Sequence, residues 1–211
     1  MSSNDLARTQ RPGIGKKIMR ALGPAGVFFR GFLEEPRMVG SVIPSSRATI
    51  DAMLAPVDWD RCKLFVEYGP GVGTFCQPVL DRLPRDGELL VIDTNPLFID
   101  YLKRTIRDSR LHAVLGSAED VEEIVRMIGH EKADFVLSGL PFSTLPEGVG
   151  PAIVEATARV IREGGAFMTY QFKGTARDLT ARFFPRVTTG QVWWNIPPCI
   201  LAWGWQDKHG G

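Results

Sequence analysis

The run Leu64-Phe65-Val66-Glu67-Tyr68-Gly69-Pro70-Gly71-Val72-Gly73 constrains this chain more than any other stretch. An apolar strand ends near a carboxylate, Glu67, and opens at once into glycines at alternate positions, 69, 71 and 73. Glycines so spaced let the backbone turn sharply and approach a ligand that a Cβ would push away. A dinucleotide fingerprint calls for a further glycine at position 74, where this chain has Thr74. Beyond the loop, residues 74–83 suit a helix and Pro84-Arg85-Asp86-Gly87 reads as a turn. Leu89-Leu90-Val91-Ile92 then reads as a strand ending in Asp93, 20 positions after Gly73. A nucleotide-binding βαβ unit places there the acid that bonds ribose hydroxyls. Asp93 is equally well placed to cap the helix that starts near Pro96.

From residue 60 onward, short β-rich runs alternate with helical patterns, which predicts a parallel sheet flanked by helices. Strands are expected at 64–68, 88–93, 112–115, 134–138 and 165–171, with a later antiparallel pair near 183–189 and 199–206. Helices are expected near 74–83, 96–107, 119–128 and 148–162. For the last, Pro151 lies near the start, Arg159 and Arg162 fall in the last turns, and Gly164-Gly165 follow the end.

Composition narrows the functional classes. Twenty-five basic against 24 acidic residues leave a net charge of +1, with no global pull toward nucleic acid. Cys62, Cys76 and Cys199 form no pair at metal or redox spacing, and His112, His130 and His209 form no cluster, so no metal is expected. No run approaches the length of a membrane span and no secretory leader is evident, so a cytoplasmic protein, a monomer, is expected.

In an open parallel sheet, ligands sit beyond the carboxyl ends of the strands. Those ends carry Glu67-Tyr68-Gly69, Asp93-Thr94-Asn95, Gly116-Ser117-Ala118-Glu119-Asp120 and Ser138-Gly139-Leu140-Pro141-Phe142. The Glu-x-Gly-x-Gly-x-Gly spacing resembles the first motif of the S-adenosylmethionine-dependent methyltransferases. That resemblance implies a Rossmann-like, seven-stranded class I methyltransferase sheet with helices on both faces. Its cofactor residues would be Glu67, Tyr68, Gly69, Gly71, Gly73, Thr74, Asp93, Thr94, Ser117, Ala118, Glu119 and Ser138. Helix capping explains Ser117 nearly as well.

The fourth strand end resembles the Asn-x-Pro-aromatic motif of amino-group methyltransferases such as the rRNA adenine dimethylases. Here Ser replaces Asn and Gly139-Leu140 is inserted before the proline. Together with Phe29-Arg30-Gly31-Phe32-Leu33, Val39-Gly40-Ser41-Val42-Ile43-Pro44-Ser45-Ser46 and Asn195-Ile196-Pro197-Pro198, it is similar to the bacterial phospholipid N-methyltransferases. The implied reaction moves methyl groups onto phosphatidylethanolamine and its methylated intermediates, toward phosphatidylcholine. Ser138, Leu140, Phe142 and Tyr170 would form the transfer chamber, and Ile43, Ser45, Phe142, Trp194 and Asn195 would meet the substrate. Alternatives are an ornithine lipid or other small amine, adenine in rRNA, and a nonenzymatic membrane-surface module.

A lipid acceptor gives meaning to the N-terminus. On a helical wheel Ile14, Ile18, Met19 and Leu22 share one face, and Lys16, Lys17 and Arg20 the other. Val27, Phe28, Phe29, Phe32 and Leu33 extend the apolar surface. A basic amphipathic helix of this kind lies in a membrane interface, each cation contributing about 1 kcal/mol. The alternative is a helix packed on the catalytic domain. The expected organisation is therefore an amphipathic extension over residues 1–36 and a methyltransferase domain over 37–211. The protein would work peripherally at the inner face of the cytoplasmic membrane.

Overall fold

The computed structural model describes residues 47–171, 174–192 and 199–207, all within one packed unit, Gly40–Gly211. Its strands are β1 (Leu64–Tyr68), β2 (Glu88–Asp93), β3 (Leu111–Leu115), β4 (Ala133–Ser138), β5 (Ile161–Gln171), β6 (Arg186–Val192) and β7 (Cys199–Trp205). They form one sheet in the order β3-β2-β1-β4-β5-β7-β6. β1 to β5 run parallel, while β7 is antiparallel to both β5 and β6. The chain order reverses between β1 and β4, so the crevice of a doubly wound sheet opens above their carboxyl ends.

Six helices cover the sheet among the described residues: α1 (Arg47–Leu54), α2 (Cys76–Leu80), α3 (Pro96–Thr105), α4 (Val121–Met127), α5 (Val149–Val160) and α6 (Thr175–Thr180). On one face Met53, Val79, Leu80 and Leu102 pack on Phe65, Leu89, Val91, Phe135 and Met168. On the other, Val121, Ile124, Val154 and Val160 pack on Leu64, Val66, Leu90, Ile92, Val136 and Phe167. Strand residues alternate between two covered faces, which is why β1, β2 and β4 read as continuous apolar runs. No helix among the described residues is long and apolar enough to cross a membrane.

Local chemistry sets the helix ends. Asn95 accepts the Leu97 N–H at 3.0 Å and Pro96 follows at the first helical position, so Asn95 and not Asp93 caps α3. The helix expected over 148–162 stops at Val160, because Ile161 is extended and pairs with Ala133. Arg162 therefore belongs to β5. Gly164, at φ +76°, takes up the irregularity, and at Gly165 a Cβ would lie 2.2 Å from the Asp134 carbonyl oxygen. The helix expected over 74–83 contracts to α2, behind a turn in which Gly73 has φ +79°. The sixth strand begins at Arg186, later than expected, because the chain leaving α6 turns over residues 181–183, with the Phe183 and Phe184 N–H groups donating to Thr180 O. α1 and α6 are 8 and 6 residues long, too short for apolar periodicity to announce them; burial of Ile50, Met53, Ala176 and Thr180 holds them.

One buried carboxylate ties three strands at the opposite end from the crevice. Asp134 Oδ2 accepts the backbone N–H groups of Lys63 at 2.7 Å and Leu64 at 2.8 Å, and its Oδ1 meets the Arg162 guanidinium. Its side chain is 7% exposed. Asp134→Ala strips two amides and an arginine of their acceptor in one step. We expect a loss of about 3 kcal/mol in unfolding free energy, read from the urea midpoint at unchanged slope.

Candidate active site

The loop after β1 is built by backbone conformations that side chains avoid. Gly69, Gly71 and Gly73 have φ of +61°, +55° and +79°. The Gly69 N–H donates to Ile92 O at 2.9 Å and the Gly139 N–H to Tyr68 O at 2.9 Å, so the loops after β1, β2 and β4 continue the ladder past the strands. At Gly71 a Cβ would meet nothing within 4 Å, which leaves the loop open on that side. At Gly73 a Cβ would fall 2.6 Å from Leu102 Cδ2, so this glycine is also needed for helix packing.

Two carboxylates face this loop. Glu67 is 2% exposed, and Cys76 Sγ donates to its Oε2 at 3.4 Å. Burial, far more than the nearby Asp93 charge, lifts the Glu67 carboxyl to about 7, with the thiol contact pulling it partly back. Burial also raises the Cys76 thiol, and the Glu67 charge raises it further. Burial raises Asp93 as well, while the N–H groups of Asn95 (2.8 Å), Gly71 and Thr94 pull it down. A carboxylate has about four acceptor positions, so three amides leave room for a ribose hydroxyl. Asp93 thus staples the glycine loop to β2 and still presents an oxygen to the cleft.

That cleft, about 120 Å³, is walled by Ile92, Ala118, Leu140, Leu145, Val149 and Ile153, with Asp93, Thr94, Gly116 and Ser117 at its polar side. Flat apolar walls beside a carboxylate and an open glycine turn fit an adenosine bearing an amino-acid tail, so these residues fit S-adenosylmethionine. Ser117 also caps a turn, accepting the Glu119 N–H at 3.2 Å. Glu119 lies outside the lining and accepts from Ser117 Oγ instead.

The remaining expected residues are placed differently. Tyr68 points to the same face of the sheet as the cleft walls, but it is fully buried beneath them, its hydroxyl 3.1 Å from Thr157 Oγ1, and it is not part of the cleft lining. The alternation along β1 places Glu67 on the opposite face, against Cys76. Thr74 lies in the turn before α2. Ser138 is fully buried and its Oγ accepts the Leu140 N–H at 3.2 Å, so it shapes the loop from below. Phe142 packs edge-on against Phe167 at 6.3 Å and lines a separate, open cavity of about 450 Å³ beside α6, not the cleft beside Asp93. The Tyr170 ring lies 5.1 Å from Phe75, and its hydroxyl is 3.0 Å from where a Gly139 Cβ would stand. Ile43, Ser45, Trp194, Asn195, Lys16, Lys17, Arg20, Phe28 and Phe29 lie outside the described residues.

Five contributors emerge only from the fold: Cys76 beneath Glu67, and Ile92, Leu145, Val149 and Ile153 in the cleft wall. The i, i+4 spacing of Val149 and Ile153 marks one helix face but does not say what that face covers. Among the described residues no group of acidic, histidine and cysteine side chains is arranged to hold a metal ion.

Comparison with known proteins agrees with this geometry. The structure superposes on an O-methyltransferase from Bacillus cereus in complex with S-adenosylhomocysteine at a TM-score of 0.61 and 14% identity, covering 94% of this chain and 93% of that one. An N-methyltransferase from Bradyrhizobium japonicum superposes at 0.56 and 14% identity, covering 74% and 90%. The fold is that of a class I methyltransferase. No protein-family model matches the chain. A curated relative, the ornithine lipid N-methyltransferase of Singulisphaera acidiphila, is 26% identical over 174 residues, 82% of this chain and 91% of the relative. Fold, relative and glycine loop agree on an S-adenosylmethionine-dependent methyltransferase.

The raised Glu67 carboxyl has a measurable sign. Between its ordinary value of 4.5 and about 7, the folded protein holds a proton that the unfolded chain has released, so the stability of the cofactor-free protein falls as pH rises across that window. Glu67→Gln removes this slope and is expected to be the more stable protein above it. A cofactor ammonium pairs only with the ionised carboxylate. Wild-type affinity for S-adenosylhomocysteine, measured by calorimetry, should therefore tighten between about pH 6 and about pH 7.5, whereas the Gln variant stays weak and flat.

Proposed function

We propose that this chain transfers the methyl group of S-adenosylmethionine to the primary amine of a membrane lipid, with an ornithine-type headgroup as acceptor. The observation that carries this reading is the similarity to an ornithine lipid N-methyltransferase along 91% of that protein's length. Phosphatidylethanolamine, the acceptor expected from the sequence motifs, shares the primary amine but has no finding of its own in its favour.

When bound, S-adenosylmethionine supplies an electrophilic methyl group on a sulfonium. The chain's residues then have to bind, orient and exclude water. Gly69, Gly71 and Gly73 bring the backbone to the amino-acid tail, and ionised Glu67 pairs with its ammonium. Asp93 holds the ribose, and Ile92, Ala118, Leu140, Val149 and Ile153 enclose the adenine. The lone pair of the incoming amine must lie in line with the methyl, and orientation of that kind supplies a large share of the rate.

Three observations weigh against a planar base in RNA. Net charge is +1, Phe142 packs edge-on against Phe167 and lines the separate cavity beside α6, not the cleft beside Asp93, and the Leu140 carbonyl already accepts two hydrogen bonds. A nonenzymatic module would have no use for the open glycine turn and the buried Glu67.

The decisive experiment supplies purified protein and radiolabelled S-adenosylmethionine with vesicles of ornithine lipid, vesicles of phosphatidylethanolamine, or total RNA. We expect label in the ornithine-lipid arm at the highest rate. Label confined to phosphatidylethanolamine restores that acceptor, and label confined to RNA refutes the lipid reading.

The N-terminal segment belongs to the same proposal: Lys16, Lys17, Arg20, Phe28 and Phe29 would bring the domain to an anionic leaflet at the cytoplasmic face of the membrane. Deletion of residues 1–24 is expected to abolish co-sedimentation with anionic vesicles while leaving calorimetric cofactor affinity unchanged. Undiminished sedimentation removes the segment from membrane binding.

A further inference from the structure

The acceptor side of the cleft is held by a contact between strand ends that neither the motif nor the comparisons assign. β4 and β5 pair in register as far as Ser138 opposite Thr169. Two residues on, where the backbone of 139–142 has left the ladder, Gln171 Nε2 donates to Leu140 O at 2.6 Å. Gln171 is 9% exposed, so the bond is shielded from water. The same oxygen accepts the Phe142 N–H at 3.0 Å. A carbonyl has two lone pairs, and both are used. Leu140 is held at a second point, its N–H donating to Ser138 Oγ. With its backbone held at both ends, the Leu140 side chain has one seat: it walls the adenosine cleft, and its Cδ2 sits 3.0 Å from where a Gly69 Cβ would be.

We propose that Gln171 is a positioning residue for cofactor and acceptor together: its amide stands in for the missing ladder N–H, seats Leu140 against the Gly69 turn, and withholds the Leu140 carbonyl from the incoming amine. The consequence for specificity is direct. The amine must be oriented by the shape of the chamber and by acceptors other than this carbonyl, which suits a flexible alkylamine better than a flat base gripped at its edge. This inference rests on the methyltransferase reading but not on the identity of the lipid.

Three variants of the full-length protein test it, with S-adenosylhomocysteine affinity by calorimetry as the first readout and kcat and KM for the lipid amine as the second. Gln171→Met keeps the volume and removes the donor. We expect roughly tenfold weaker cofactor affinity and a lower kcat with little change in the melting temperature of the folded protein. Gln171→Glu keeps the shape, but its carboxylate faces a carbonyl. Its affinity relative to wild type should be poorest at about pH 8 and recover at about pH 6, where the protonated acid donates again. Taking the ratio to wild type at each pH cancels the Glu67 dependence. Gln171→Asn retains the amide but not the reach, and should show the loss even if the methionine variant folds poorly. Wild-type affinity and kcat in the Met and Asn variants, or a Gln171→Glu ratio that is flat with pH, overturns the proposal. Absence of transfer to every lipid, with the affinity pattern intact, refutes the lipid reading and leaves the positioning role standing.

Discussion

The pairing of β1 with β4 is the constraint on which the rest depends. Phe65 to Tyr68 run beside Phe135 to Ser138 in parallel register. At the start of these strands Asp134 gathers the Lys63 and Leu64 amides and the Arg162 guanidinium, so β1, β4 and β5 are tied across one buried carboxylate. A one-residue slip would exchange the faces of Glu67 and Tyr68, taking the carboxyl away from Cys76 and the phenol away from Thr157. With the register held, the glycine loop after β1 and the Gly139–Phe142 loop after β4 emerge side by side, linked by the Gly139 N–H to the Tyr68 carbonyl.

What this scaffold holds is electrostatically unfavourable by itself. Glu67 is buried with a thiol for company, and Asp93 is close enough to add to its discomfort. A carboxyl lifted to about 7 is a site waiting for a cation. Burial raises Asp93 too, but here the backbone amides of Asn95, Gly71 and Thr94 pull it partly back. In the proposed function these neighbouring acids have separate tasks, Glu67 to pair with a charge and Asp93 to bond hydroxyls. The same amides bind the loop to β2, so the geometry of the ribose end and of the glycine turn are set together.

The acceptor side follows another logic. Ser138, Leu140 and Phe142 resemble residues that grip a target amine, yet here they grip one another and the neighbouring strands. Ser138 turns down to an amide, Phe142 joins the aromatic layer with Phe167, and the Leu140 carbonyl is saturated. The segment forms a wall with a defined shape. A wall selects by volume and by exclusion of water, which matches an amine on a mobile lipid headgroup.

By itself the sequence determined the strand–glycine turn–helix–strand–acid unit, the seven strands and the antiparallel end of the sheet, because each has a local cause. Glycines at positive φ, an apolar run ending in an acid, and a cap followed by Pro96 all act over a few residues. Tertiary structure alone decided which way the side chains of those strands face. A strand covered on both sides is apolar throughout, so no alternation of polarity tells one face from the other. Hence Tyr68 was legible as a site residue but is buried beneath the cleft with its hydroxyl against Thr157, and Phe142 was legible as an aromatic at the chamber but packs on Phe167 beside a separate cavity. The end of α5 at Val160 likewise depends on Ala133, 28 residues from Ile161 in sequence and its neighbour in the sheet. Gln171 and Leu140 are 31 residues apart and carry no shared pattern; only the closing of β5 on β4 puts the amide where the carbonyl needs it.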